Sequence, residues 1–169
     1  GNQGRIRTGG GAQIVNAGTW DDQTVGGTGI SNDFGGAASS LTNNGTYTRS
    51  GSRTSDSAIA FNNTNAVTLN AGTLRLSGGG TSSGTFTGTG ASTLDFGGGT
   101  HSVSGAVDAV NVSFSGGTAT LTGSYRATGT TTASGGTGNL NGTFTDANAP
   151  LAISSGALNV STAAPAPSP

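Results

Sequence analysis

Few side chains in this 169-residue chain can do chemistry: one histidine, His101, seven aspartates and six arginines, with no Cys, Glu or Lys. His101 stands six residues after Asp95, where it could serve as a general base or a metal ligand beside that carboxylate. Two carboxylates a suitable distance apart can also cleave a glycosidic bond, and Asp95, Asp108 and Arg126 would form such a group if one face gathered them. The spacing argues against both. Asp21 and Asp22 are adjacent, so a strand would point them to opposite sides, and no nucleophile-elbow pattern accompanies His101. Asp33, Asp56 and Asp146, like the others, read as solvated turn or strand-exterior positions. Gly26-Gly27-Thr28-Gly29-Ile30-Ser31 and Gly135-Gly136-Thr137-Gly138-Asn139-Leu140 approach a calcium-binding nonapeptide. Both carry Ser31 or Leu140 where the ligand Asp belongs, so a hard cation has little to hold it. The expectation is a chain with no catalytic residue, no metal and no cofactor.

Composition then bounds the elements that could position anything. Gly (33), Thr (28), Ser (21) and Asn (14) fill more than half the chain, while Leu, Ile, Val and Phe together number 28. So few large apolar residues cannot make one thick core. Disorder would want a high net charge, and the net charge is −1. A helical bundle is excluded, because good helix formers are scarce and Gly and Thr dominate. Six scattered Arg make no basic stripe for nucleic acid, and no apolar run is long enough to span a bilayer as a helix.

The main signal is a repeat. Asn16-Ala17-Gly18-Thr19-Trp20 returns as Asn43-Asn44-Gly45-Thr46-Tyr47, as Asn70-Ala71-Gly72-Thr73-Leu74 and, without its Asn, as Gly97-Gly98-Gly99-Thr100-His101. Those Gly-Thr anchors step by about 27 residues, a solenoid-type period. Around them, Val67-Thr68-Leu69, Leu74-Arg75-Leu76 and Val110-Asn111-Val112-Ser113-Phe114 alternate apolar and polar residues, as half-buried strands do. Gly-rich corners separate these short runs. The pattern predicts an all-β parallel β-helix (a β-solenoid) of about six irregular coils over residues 12–162. A Gly-rich segment, 1–11, precedes it and a Pro/Ala-rich tail, 163–169, follows. A solenoid core is a narrow column, so few apolar residues per coil suffice. A disordered linker would lack the alternating Val, Leu and Phe; a Greek-key sandwich is the remaining all-β alternative.

The register assigns structural roles. Asn16, Asn43 and Asn70 are expected to form an amide ladder, Trp20, Tyr47, Leu74 and His101 a stacking column, and Gly18, Gly45, Gly72 and Gly99 corners. Gly tolerates positive φ at Gly-rich corners such as Gly78-Gly79-Gly80 and Gly97-Gly98-Gly99. Thr pairs such as Thr46/Thr48, Thr85/Thr87, Thr118/Thr120, Thr130/Thr132 and Thr143/Thr145 would suit an ice-binding face. Their unequal spacing along the chain speaks against it.

The segments Val67–Leu76, Ser92–His101 and Phe61–Thr64 resemble the repeats of bacterial surface β-helix proteins, namely autotransporter passengers and haemagglutinin-type adhesins. The resemblance covers roughly residues 12–160 and rests on degenerate motifs. It implies a right-handed β-helix, secreted or exposed on a bacterial surface. The function expected is a non-enzymatic structural or adhesive element of an extracellular filament. Its partners would be copies of itself, joined through termini and coil ends, and glycans or extracellular matrix. A polysaccharide-degrading β-helix enzyme and an ice-binding solenoid are the alternatives.

Overall fold

A computed structural model describes residues 4–25, 27–145 and 149–161; the 163–169 tail expectation and Asp146 lie outside them. The described residues form a three-faced parallel β-solenoid without a helix. The first coil contributes β1 (Ile6–Arg7), β2 (Gln13–Asn16) and β3 (Thr19–Asp22), one strand to each face. The next coils repeat this with β4 (Thr28–Ser31), β5 (Ser40–Asn43) and β6 (Thr46–Arg49), then β7 (Thr54–Ser57), β8 (Ala60–Asn63) and β9 (Ala66–Leu69), then β10 (Thr73–Leu76), β11 (Gly80–Ser82) and β12 (Thr85–Gly88). Thereafter one long strand wraps faces one and two: β13 (Thr93–Val103) is followed on face three by β14 (Val107–Ala109), and β15 (Asn111–Leu121) by β16 (Tyr125–Ala127). β17 (Thr131–Leu140) and β18 (Leu151–Val160) complete the series, with Phe144 bridging to Tyr125 on face three. β1, inside the Gly-rich 1–11 segment, pairs with β4.

Every strand pair among the described residues is parallel, and on face two the register is continuous down the rod. Shifts fall at Thr28/Ile30 on face one and at the corners between Phe96 and Thr100 and between Ala133 and Thr137. Asn16, Asn43, Asn63, Ser82, Val103, Leu121, Leu140 and Val160 stand in line on face two. There are about eight turns, not six. The first step along this line takes 27 residues and the other six take 18 to 21. The 27-residue period therefore describes one turn only at the start, where 32–39 forms a long corner. That corner is tied back by Arg5 Nη2 and Arg7 Nε, which donate to Asp33 Oδ2 at 2.6 and 2.7 Å, and by the Arg7 guanidinium over the Phe34 ring. Further on, a turn is about 20 residues and a face about seven. A 27-residue step then advances the Asn-x-Gly-Thr motif by one turn plus one corner.

Alternation within each strand sends one set of side chains inward, and the parallel register stacks them. On face one, Leu74, Leu94 and Val112 form one buried column and Leu76, Phe96 and Phe114 another; Phe96 and Phe114 lie nearly parallel at 5.5 Å. On face three, Tyr47, Val67, Phe86, Val107 and Tyr125 are in register and buried. Each such Leu or Phe contributes roughly 1.5–3 kcal/mol by leaving water, and columns of this kind suffice because each coil covers the next.

The corner from face two to face three is closed by glycine. A Cβ on Gly105, Gly123 or Gly142 would overlap the carbonyl oxygen of the glycine one turn before it, Gly84, Gly105 and Gly123 respectively. Backbones can approach this closely only where no side chain intervenes.

Candidate functional site

The asparagine ladder occupies the inner end of face two. Asn16 Nδ2 donates to Asn43 Oδ1 at 2.7 Å, and Asn43 Nδ2 donates to Asn63 Oδ1 at 2.9 Å. The same Nδ2 groups also donate to the carbonyls of Thr46 and Ala66, and that of Asn63 donates to Thr85. All three asparagines are buried, so each amide has its partners where an unpaired one would cost about 1–3 kcal/mol. Asn70 is not the third rung. It is exposed after β9, at the corner from face three to face one, because the shorter second turn brings Asn63 under Asn43.

The expected column likewise divides. Trp20 and Tyr47 do stack, ring centroids 5.9 Å apart, and the column then continues through Val67 rather than Leu74. Leu74 belongs to face one, between Ser55 and Leu94. His101 belongs to face two, between Gly80 and Ala119. Gly18 and Gly45 share the corner from face two to face three. Gly72 (φ 63°) opens face one, and Gly99 (φ 67°) turns β13 from face one to face two. The motif marches around three quasi-equivalent corners instead of climbing one.

His101 is buried without a carboxylate partner. Its Nε2 lies 2.9 Å from the Gly98 carbonyl and 3.1 Å from that of Leu76, and its ring meets Phe96 edge-on. Burial drives its pKa below the ordinary 6.5, against those two hydrogen bonds, so it is neutral at pH 7. Asp95 holds an outward position on face one but is buried there instead of solvated as expected. It is covered by Ser115, whose Oγ donates to it at 2.8 Å, and by Arg75, whose Nε lies 3.6 Å away. Asp108 and Arg126 pair at 3.0 Å on face three. Asp95, Asp108 and Arg126 thus do not share a face. Among the described residues, no three of His and Asp come together as a metal-binding group.

The cluster that sequence reasoning missed sits at the N-terminal end of the rod. Asp22, expected to be solvated, is buried against Arg49, whose side chain is wholly inside. Arg49 Nη1 donates to the Asp22 carbonyl at 2.8 Å and to Oδ1 at 3.3 Å, and Nη2 donates to the carbonyls of Thr24 and Arg53. Tyr47 Oη donates to Asp22 Oδ2 at 2.7 Å. Burial pushes the Asp22 carboxyl up, but hydrogen bonds from Thr24, Ser55 and Tyr47 outweigh it and leave the pKa below 3.8. Burial, with Asp22 alongside, raises that of Tyr47 well above 10. The signal was available: Tyr47 and Arg49 are two apart on one strand, as are Trp20 and Asp22, so an inward aromatic required an inward charge. Beside the cluster a cavity of about 310 Å³ opens between Gly4, Ile6, Trp20, Asp22, Ile30 and Ser55.

The three outer faces differ in charge. Face one carries Asp56, Arg75 and Asp95 in one line, and face three carries Asp21, Asp108 and Arg126. On face two, the strand positions pointing outward bear no ionisable side chain among the described residues. The Thr pairs are divided among faces: Thr46/Thr48 and Thr85/Thr87 lie on face three, Thr118/Thr120 on face two and Thr132 on face one. No protein-family profile, no curated protein and no solved structure matches this chain.

Proposed function

We propose that this chain is a non-enzymatic structural and adhesive β-solenoid of a bacterial surface or extracellular filament, associating with copies of itself through its coil ends. The carrying observation is the apolar column left open at both ends of the described rod. Leu151, Ile153 and Val160 of β18 are 51%, 59% and 51% exposed. The residues at the same register positions in β15, Val112, Phe114 and Leu121, are buried. At the other end, Ile6 heads the line that Ile153 ends, and Ile14 heads the line that Leu158 ends. A second copy placed end to end would set Ile6 against Ile153 and Ile14 against Leu158. The outer edges of β1 and β18, unpaired among the described residues, would join in one ladder. The secreted, bacterial setting rests on the likeness of the Val67–Leu76 and Ser92–His101 motifs to surface-protein repeats. The enzyme alternative needs carboxylates converging on one groove, whereas the described ones are scattered: Asp56 and Asp95 on face one, Asp21 and Asp108 on face three, Asp33 in the 32–39 corner and Asp22 inside.

Electron microscopy and sedimentation of the purified chain test this. Filaments with an axial repeat of about 38 Å are expected, eight turns at about 4.8 Å each. Ile153→Arg should keep the β spectrum and abolish the filaments. A wild-type chain that stays monomeric across concentration overturns the proposal.

A further inference from the structure

Face two offers a surface that end-to-end assembly leaves free. Its middle outward line passes through Thr81, Ser102, Thr120 and Asn139 in successive turns. Ser83, Ser104 and Thr122 form a second line at the edge of the face, each placed by its backbone N–H donating to the carbonyl of the strand one turn earlier. Between these two lines runs a shallow trough of about 350 Å³, lined also by Thr64. It follows the rod axis across four turns, roughly 14 Å at about 4.8 Å per turn. Its walls are hydroxyls, threonine methyls and Val103, and no cation or carboxylate lines it. Several hydroxyls bond only along the rod. Thr81 Oγ1 donates to Asn62 Oδ1 at 3.2 Å, and Asn139 Nδ2 donates to Thr120 Oγ1 at 3.2 Å. Ser83 and Ser102, exposed at the trough, make no side-chain hydrogen bond among the described residues.

The geometry points to this trough as the binding site for an extended, uncharged polysaccharide chain lying parallel to the rod axis. The inference deepens the adhesive part of the function proposed above and rests on it. A ligand without charge is favoured because no charged side chain here could pair with an ionic one, and an unpaired buried charge is costly. A polyhydroxyl ligand is favoured because Ser and Thr hydroxyls both donate and accept. Methyls among them offer apolar contact to the faces of sugar rings. One turn of the solenoid rises by about the length of a pyranose ring, so each sugar along a chain would meet an equivalent set of hydroxyls. Weak contacts repeated this way add through multivalency. Ice would require a flat lattice, and the trough interrupts flatness where the hydroxyls are densest.

The test uses the full 169-residue chain in affinity electrophoresis with soluble β-glucan, xylan and mannan, and with polygalacturonate as the anionic comparison. Retardation by at least one neutral polymer is expected. Ser102→Arg/Thr120→Arg should weaken it at least about tenfold, by setting charge in the trough. Thr87→Arg, on face three, should leave it within about twofold, as distant sites act independently. Ser102→Ala/Thr120→Val removes the hydroxyls at nearly constant shape, and it should weaken binding even if the arginine variant fails to fold. No retardation by any neutral polymer, stronger retardation by polygalacturonate, or binding that survives Ser102→Ala/Thr120→Val would overturn the assignment. So would thermal hysteresis without glycan retardation, which would give the face to ice. Filaments without retardation would sink the glycan site alone, and retardation without filaments would sink the end-to-end stacking alone.

Discussion

Arg49 and Asp22 place two opposite charges inside a core built otherwise from apolar, amide and hydroxyl side chains and the neutral His101 ring. Their hydrogen bonds make the arrangement tolerable, but removing one partner strands the other in a poorly solvated site. Arg49→Met should therefore destabilise the fold by about 3–5 kcal/mol, read from denaturant unfolding. Asp22→Leu/Arg49→Met should recover a large part of that loss; a double variant as unstable as the single one would show the pair to be favourable in itself. His101 gives a pH signature distinct from that of Asp22. Its folded pKa lies below 6.5, so the neutral ring contributes stability that is complete above about 6.5 and is lost as pH falls toward the folded value. Asp22, lowered from 3.8, is lost only at more acid pH. Urea midpoints measured from pH 8 to pH 3 should fall in two stages, and His101→Gln should remove the upper one.

The corners, more than the strands, decide how the elements stack. Gly123→Ala would drive a methyl into the Gly105 carbonyl and should cost about 1–3 kcal/mol or more as an overpacked contact. The same substitution at Gly18, where a Cβ would meet nothing within 4 Å, should be close to neutral; equal losses at both would refute the steric account. Strand alternation was legible in the sequence because period-two patterning is local: Val67, Leu69, Leu74 and Leu76 all point inward as their spacing requires. The turn length was not legible. The Asn-x-Gly-Thr motif serves three equivalent corners, so its spacing mixes whole turns with thirds of a turn. The long 32–39 corner made the first turn match the later, composite step. Asn63 was overlooked for that reason, since its neighbours Asn62 and Asn65 offer no Gly-Thr anchor. Asn43→Ala tests the ladder as it stands: it takes one of two partners from Asn16 Nδ2 and from Asn63 Oδ1 and should cost about 1–3 kcal/mol, whereas Asn70→Ala, at an exposed corner, should have little effect.

At the scale of the whole molecule, a chain of net charge −1 has its described residues in a rod with apolar column ends, one face whose outward strand positions carry no charge, and two lightly charged faces. The association proposed through such ends would draw on apolar burial and backbone pairing more than on ion pairs. Its rate, followed by light scattering, should therefore change little between low and moderately high salt, because screening acts mainly on exposed charges. A strong salt dependence would point instead to faces one and three as the contact. The parallel stacking of the strands has a mechanical meaning as well. Strands run across the rod, so their backbone hydrogen bonds lie along it, and a pull on the two chain ends loads one turn at a time. Turns would peel off in succession, each releasing about 20 residues and lengthening the chain by roughly 70 Å at 3.3–3.6 Å per residue. A rod built this way would yield under a pull as a spooling tether, holding on while it lengthens.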